Sequence, residues 1–477
     1  MNGPVQNIPF LGRKSEIRAL RGIAQKDESA LTVIYGRRRI GKTRLIEEAF
    51  SGKGLIKFEG IEGQPTPNQK KAFLDQLAAC ACQRKHALMK RSSWIDILIL
   101  LSEHLGKKKT AVLMDEFQWM AAERDDLVSA LKYVWDNHFQ KKNNIHLILC
   151  GSISSFLVKK VIRSKALYGR VGLEMDLKPL SVEEIKTIFV PQRSCRELVE
   201  LYMCVGGIPH YLKMIDPSRS AARNMESLCF SPNGLLTSEF ERIFASHFGK
   251  NRHYKNILMT LAKARFATRD DLMKKCHIQS GGHTSDYLED LELAGFIESY
   301  APVQRGTSER LNRYRIKDPY LLFYFRFIHP SLRRIRDGRG EGRIAQFVSP
   351  QRYAIWQGLA FERFCYYHHQ VIADKLGFSA VRYDCGSWYS RKDQRSGAQI
   401  DMLFMRADRI ITLCEMKFQD DPVGKEVIAS VEGKIRVLPN PKKWTIERVL
   451  VTASPPTKDL LQEGYFHRIL ELDGLLA

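Results

Sequence analysis

The stretch LTVIYGRRRIGKTRLIEEAF, residues 31–50, contains a short apolar strand, a turn opening at Gly36 and a run whose apolar positions recur at helical spacing. Within the turn, Gly36, Gly41, Lys42 and Thr43 fit GxxxxGK[ST]. Glycines at those positions let backbone N–H groups close around phosphates, the lysine reaches the β and γ oxygens, and the threonine hydroxyl serves Mg²⁺. The strand before and the helix after supply the context this pattern requires, so the reading is a loop that binds ATP. Arg39 and Arg44, beside the lysine–threonine pair, join the expected nucleotide contacts. Arg37, Arg38 and Arg39 fill variable positions, either facing a partner or nucleic acid or standing as solvated loop arginines. The solvated reading is preferred.

Outward from this loop, AVLMDEFQWM (111–120) is an apolar strand ending in two carboxylates. Asp115 is expected to hold Mg²⁺ through water and Glu116 to polarise the water that attacks the γ-phosphate. A further strand, IHLILCGS (145–152), ends at Ser152, which either senses the γ-phosphate or caps the next helix. Apolar strands near 31–35, 54–58, 111–115, 145–150 and 172–177 alternate with helical stretches, which predicts a parallel sheet covered by helices on both faces. An extra strand then lies between the phosphate-loop strand and the Asp-Glu strand.

These segments, with FLGRKSEI (10–17), CGSISSF (150–156), LYGR (167–170), PLSVEEI (179–185) and GGIPHYL (206–212), resemble the AAA+ branch of P-loop ATPases. More narrowly they resemble the archaeal-type ATPase family, over most of residues 10–215. The resemblance implies that Phe10 to Arg13 lie near the adenine. It also implies that Arg170 completes the catalytic site, in its own or a neighbouring subunit, the plain alternative being a salt-bridged arginine at the start of the fifth strand. An assembly of like subunits through this module is a further implication.

At 477 residues the chain is long enough for two to four domains. The fold class is α/β, and the boundaries drawn are 1–178 for the ATPase core, 179–248 for a helical lid turning at Gly206, Gly207 and Pro209, 249–319 for a winged helix-turn-helix, and 320–477 for a last α/β domain. A formal charge of +22 points to a polyanionic partner, nucleic acid before membrane, because no apolar run reaches spanning length. Residues 301–400 carry 18 Lys or Arg against 8 Asp or Glu, so they are the first candidate for that contact. The amino terminus resembles no signal peptide, and the ten scattered cysteines suggest reduced, buried thiols rather than disulfides or zinc, so a cytoplasmic location is expected.

Helices near 252–263, 268–276 and 283–295 followed by a polar hairpin give the winged-helix order. The third helix, HTSDYLEDLELAG, carries Asp286, Glu289, Asp290 and Glu292 and no Lys or Arg, so it would repel phosphates in a groove. A structural joint is therefore the preferred reading, with Arg305, Arg310 and Arg313 of the wing left as backbone contacts.

In the tail, GAQIDMLFMRADRIITLCEMKF (397–418) reads as two strands joined at MRADR. Asp401 is on the first, and Glu415 and Lys417 share one face of the second, a spacing at which a hairpin gathers two carboxylates and a lysine. The bland reading is a satisfied ion pair; the sharper one is a site where carboxylates bind Mg²⁺ and the lysine stabilises a phosphodiester transition state. The tail resembles the PD-(D/E)XK restriction-endonuclease-like superfamily, although Gln399-Ile400 precede Asp401 where that superfamily's motif has a proline. The resemblance implies that Asp401 and Glu415 are metal ligands, Lys417 the catalytic lysine and Glu362, on the preceding helix, an auxiliary metal-binding acid. SWYSRKDQRSG (387–397) is either a DNA-contacting loop or a solvated one, and His368 and His369 read as surface residues. Together these imply an ATP- and Mg²⁺-dependent ATPase coupled to a nuclease-like domain acting on DNA. The alternative is an ATP-driven switch or remodeller whose tail is an inactive nuclease that only binds.

Overall fold

The computed structural model of the chain describes residues 10–81, 93–122, 126–165, 167–189, 193–249, 251–264, 266–278, 282–300, 303, 312–339, 343–389 and 399–476. Arg305, Arg310, Cys82 and most of the 387–397 loop lie outside them. Five strands, β1 (Ala30–Tyr35), β2 (Leu55–Glu59), β3 (Thr110–Asp115), β4 (Ile145–Gly151) and β5 (Val171–Asp176), form an all-parallel sheet in the order β2-β3-β4-β1-β5. Thus β4 lies between the phosphate-loop strand and the Asp-Glu strand. Continuous apolar runs in β1, β3 and β4 follow from burial on both faces. Val33, Val112 and Leu147 pack into one core, while Ile34, Leu113 and Ile148 pack into another.

Helices follow, notably Cys195–Val205, Pro209–Leu212 and Leu235–Phe248. Next come helices Arg252–Lys263, Arg269–Cys276 and Gly282–Leu293 around a small antiparallel sheet of β6 (Ala267–Thr268), β7 (Ile297–Tyr300) and β8 (Arg313–Ile316). The tail holds helix Pro350–Tyr367 and a second sheet of β9 (Tyr383–Tyr389), β10 (Gln399–Arg406), β11 (Ile410–Lys417), β12 (Thr445–Thr452) and β13 (Arg468–Glu471). In that sheet β9, β10 and β11 are antiparallel neighbours, and β11, β12 and β13 are parallel. Helix Glu426–Val437 provides the crossover from β11 to β12 that a parallel pair demands.

The core does not divide as the sequence suggests. One apolar cluster runs from Ile34 of the first sheet through Tyr211, Phe240 and Phe296 to Phe361 and Met416 in the tail. His368 belongs to this joint: it is buried, with its ring against Tyr202 and Phe364, which corrects its reading as a surface residue. The cysteines divide too, Cys80 being exposed while Cys150, Cys204, Cys229, Cys276, Cys365 and Cys414 are buried and unpaired. Among the described residues no helix is long and apolar enough to cross a membrane.

Candidate functional site

The loop after β1 takes backbone angles that side chains resist. Gly36 has φ 145°, and a Cβ there would lie 2.6 Å from the Leu177 carbonyl oxygen; Gly41 has φ 90°. Lys42 is buried, its ammonium donating to the carbonyls of Gly36 at 2.8 Å and Arg37 at 3.1 Å. Burial holds its pKa below the ordinary lysine value. Thr43 Oγ1 donates to Asp115 Oδ2 at 2.8 Å, so a hydroxyl and a carboxylate stand side by side. This pair of hard oxygen donors fits Mg²⁺.

Glu116 follows at the end of β3 in the left-handed region, φ 48°. Its Oε2 accepts from the Ser152 N–H at 3.2 Å, the Ser152 hydroxyl at 2.9 Å and the Gln118 amide at 2.6 Å. A non-glycine residue held at such angles is a feature that gathers at functional sites. Arg39, at φ 71°, is a second instance in the same loop. Between them opens a cavity of about 320 Å³ walled by Phe10, Leu11 and Arg13, by Arg39, Gly41, Lys42, Thr43 and Arg44, by Glu116 and Ser152, and by Pro209, His210 and Lys213. Burial and the charges of Arg39 and Lys213 take the His210 pKa down to about 4, so this wall is neutral imidazole at pH 7.

Three loop arginines depart from the solvated reading. Arg37 is 5% exposed, ion-paired to Asp318, with its guanidinium 5.6 Å from the Phe296 ring and within 3.4 Å of the Tyr211 hydroxyl. Arg39 pairs with the buried Glu239 at 2.5 Å, and Glu239 also accepts from Tyr211 at 2.9 Å. Arg38 stands over Trp119 at 5.9 Å. Charges removed from water must be paired, and the partners lie some 200 and 280 residues away, beyond what local reading reaches. Arg170 is not in the cavity wall; its guanidinium forks onto Asp136 at 2.6 and 2.9 Å, the salt-bridged alternative for a single chain. Lys57, unremarked in the sequence, reaches Asp115 at 3.3 Å and Glu59 and Glu47 at 3.6 and 3.7 Å.

The tail gathers a second set of groups. The ladder pairs Met402 with Cys414, so one step further Asp401 faces Glu415 across the hairpin. Glu415 is 3% exposed and Lys417, two residues along the same face, touches it at 2.9 Å. Lys434, from the crossover helix, donates to Glu415 at 2.6 Å and stands 3.8 Å from Asp401. The spot between the two carboxylates therefore already accepts a cation, so a metal ion fits there by charge and donor type. Among the described residues, however, no group of three or more His, Cys, Asp or Glu is placed to hold a metal, so Glu362 does not complete a triad with Asp401 and Glu415. Lys434 gave no signal in the sequence, since a lysine on an amphipathic helix usually faces water.

The third helix of the middle unit is docked: Glu289 and Asp290 pair with Lys159 at 3.0 and 2.9 Å, and Glu289 with Arg163 at 2.5 Å. That face lies on the helix following β4. Arg313, of the expected wing arginines, covers the Phe266 ring at 4.1 Å.

Residues 10–215 match the family described as an ATPase domain predominantly from Archaea. An uncharacterized protein of Methanocaldococcus jannaschii, MJECL04, is 27% identical over 420 residues, 86% of this chain and 88% of its own. Two solved structures are similar: the Walker-type ATPase paby2304 of Pyrococcus abyssi, with 21% identity over 68% of this chain and 99% of its own and a TM-score of 0.48, and the Aeropyrum pernix ORC2 protein, with 17% identity over 69% and 97% and a TM-score of 0.41.

Proposed function

We propose that the chain is an ATP-hydrolysing protein whose ATPase domain governs a metal-dependent phosphodiesterase site in the tail, acting on nucleic acid, DNA before RNA. The observation that carries this reading is the meeting of Asp401, Glu415 and Lys417 at the ends of adjacent buried strands, in a chain that already carries an ATPase domain. In the ATPase half, Lys42 supplies positive charge to the β and γ oxygens, Thr43 and Asp115 hold Mg²⁺, and Glu116, oriented by Ser152 and Gln118, directs water in line. Arg170 acts at a neighbouring subunit's site, which requires it to leave Asp136.

In the tail, Asp401 and Glu415 are the residues that would hold Mg²⁺. When bound, such an ion neutralises phosphate charge and lowers the pKa of water. Lys417 holds the nucleophile or the developing negative charge at its ammonium. That no third acid joins this pair among the described residues, together with the seat of Lys434 between the carboxylates, favours a second reading in which the tail binds nucleic acid without cutting it.

Cleavage of supercoiled plasmid and of single-stranded DNA with Mg²⁺ or Mn²⁺, with and without ATP, separates the two readings. Cutting abolished by Asp401→Ala and by Lys417→Ala, and altered by ATP or by Lys42→Ala, is the expected result. ATP turnover and DNA binding without cutting under any condition would leave the binding reading in its place.

A further inference from the structure

The helix that a winged unit would insert into a groove presents Glu289 and Asp290 to Lys159 and Arg163 of the ATPase core. Nucleic acid engaged by this chain therefore needs another seat. At the join of the lid and the tail lies an open trough of about 750 Å³, more than twice the volume of the nucleotide cavity. Two stretches more than a hundred residues apart build it. Arg219, Arg223, Ser227 and Ser231 come from the lid side, and Arg343 comes from the segment after helix His329–Arg336.

Among the described residues the one acid in its wall is Glu226, and that charge is engaged locally. It pairs with Arg223 at 3.2 Å and accepts the Ile344 N–H at 3.1 Å, which clasps the tail segment to the lid. Arg219 and Arg223 are 60% and 73% exposed, and each pairs with a neighbour only three residues away in the chain. Ion pairs so open to water are weak and exchange readily for a better anion. Beside the trough, helix His329–Arg336 and the residues after it add Arg333, Arg336 and Arg339, all exposed.

We propose that this trough seats the phosphodiester backbone of a nucleic acid. A guanidinium forks onto two phosphate oxygens at once, and serine hydroxyls donate to the oxygens left over. An open concavity with positive groups on both banks suits a polymer passing across it rather than a small anion captured whole. The excess of 18 basic over 8 acidic residues in 301–400, in which Arg343 and its neighbours lie, is thereby given a place in the fold. The inference rests on the nucleic-acid reading above and names where that partner lies, ahead of base readout and independent of whether the tail cuts.

The test is binding by fluorescence anisotropy across a salt series, using a 20-nucleotide DNA strand, its duplex and the RNA strand of the same sequence as probes. Each phosphate neutralised contributes about 0.9 to the log–log salt slope on duplex and about 0.7 on a single strand. Arg219→Ala/Arg223→Ala/Arg343→Ala is expected to lower the slope by roughly two to three and to weaken low-salt binding about a hundredfold, with an unchanged melting curve. Should that variant fail to fold because Glu226, which clasps the Ile344 N–H, loses its Arg223 partner, Arg219→Gln/Arg343→Gln keeps that partner and is expected to lower the slope by about 1.4 to 1.8. Wild-type protein that binds none of the three probes overturns the nucleic-acid reading itself. Wild-type binding with variants of unchanged slope overturns the trough alone. Tighter binding of poly-glutamate than of any nucleic acid overturns the class of partner, and the ranking of the three probes shows which nucleic acid the backbone seat accepts.

Discussion

Asp115, bonded to Thr43 of the phosphate-loop cavity, and Glu415 of the tail are both buried carboxylates near the end of a central parallel-paired strand, and each has a lysine against it, but the two lysines are held differently. Lys57 is a third exposed and stands between 3.3 and 3.7 Å from three carboxylates, Asp115, Glu59 and Glu47, without settling on one. Burial opposes its charge, yet the Asp115 and Glu59 carboxylates outweigh that and hold its pKa above the ordinary lysine value. Lys434 is half as exposed and is committed to Glu415 at 2.6 Å, with Asp401 as its second neighbour. An exchangeable counter-charge leaves Asp115 free to take a metal ion at little expense. A committed one means that metal in the tail must displace a lysine, so the two sites should differ in how metal changes their stability.

The largest effect expected is from Lys434→Met. Removing one partner of a buried charge pair is strongly destabilising, by about 3–5 kcal/mol where no other charge compensates. Lys417 still touches Glu415, so about 2–3 kcal/mol is expected, read as a lower melting temperature or urea midpoint. The same variant should regain more stability from Mn²⁺ or Mg²⁺ than the wild type does, because the ion no longer competes with an ammonium. An equal metal response in the two proteins would show that Lys434 does not compete, and the contrast between the sites would fail.

Lys57→Met tests the other side of the comparison. Its three partners are shared and partly wet, so the loss should stay under about 1 kcal/mol without metal. With one cation fewer beside Asp115, Mg²⁺ should be retained at least as well in a nucleotide-free titration. A loss as large as that of Lys434→Met would mean that Lys57 is structural, and the distinction between exchangeable and committed lysines would be wrong.

Most of the phosphate-loop cluster is legible because its parts are contiguous. GRRRIGKT sits in one turn, Asp115-Glu116 end one strand, and the sheet order places β4 between them as expected. Asp401, Glu415 and Lys417 were legible for the same reason, since a hairpin of known register brings them together. Lys434 was not, because nothing in EVIASVEGKIRV separates a lysine turned to a carboxylate from one turned to water. Arg37 reads as solvated from the sequence alone, since the buried Asp318 that pairs with it, at the cap of helix Pro319–Phe323, is fixed only by the packing of the tail's first helix on the lid. His368 was misplaced by the same shortfall: its burial comes from Tyr202, a residue of the lid helix.

That lid helix gives the smallest and most specific prediction. Cys195–Val205 spans about 16 Å at the usual helical rise and runs between the neighbourhoods of the two sites. Its carboxy-terminal end leads through Gly206 and Gly207 into Pro209, His210 and Lys213 of the nucleotide cavity, and a Cβ on Gly207 would lie 2.0 Å from the Leu180 carbonyl, so this end is closely seated. Near its amino-terminal end Arg196 donates to the Gln419 carbonyl at 2.8 Å, pairs with Asp420 at 2.6 Å and covers the Phe418 ring at 4.4 Å, the three residues directly after Lys417. Midway, Glu200 accepts from Tyr353 of the tail helix at 2.8 Å. A packed helix moves as a unit, so under the proposed function it is the route by which a change of the cavity wall on nucleotide binding would reach the end of β11. Arg196→Ala should change stability little, because its acid partner is almost fully exposed, while reducing the effect of ATP on metal or DNA affinity by two- to threefold, about 0.4–0.7 kcal/mol. Linkage requires the reciprocal effect, of DNA or metal on nucleotide affinity, to fall by the same factor, and Arg196→Lys should not restore it, since an ammonium lacks the planar fork. Titration of a fluorescent ATP analogue with and without Mn²⁺ and DNA measures both directions, and an unchanged coupling in Arg196→Ala would remove the helix as the link between the two sites.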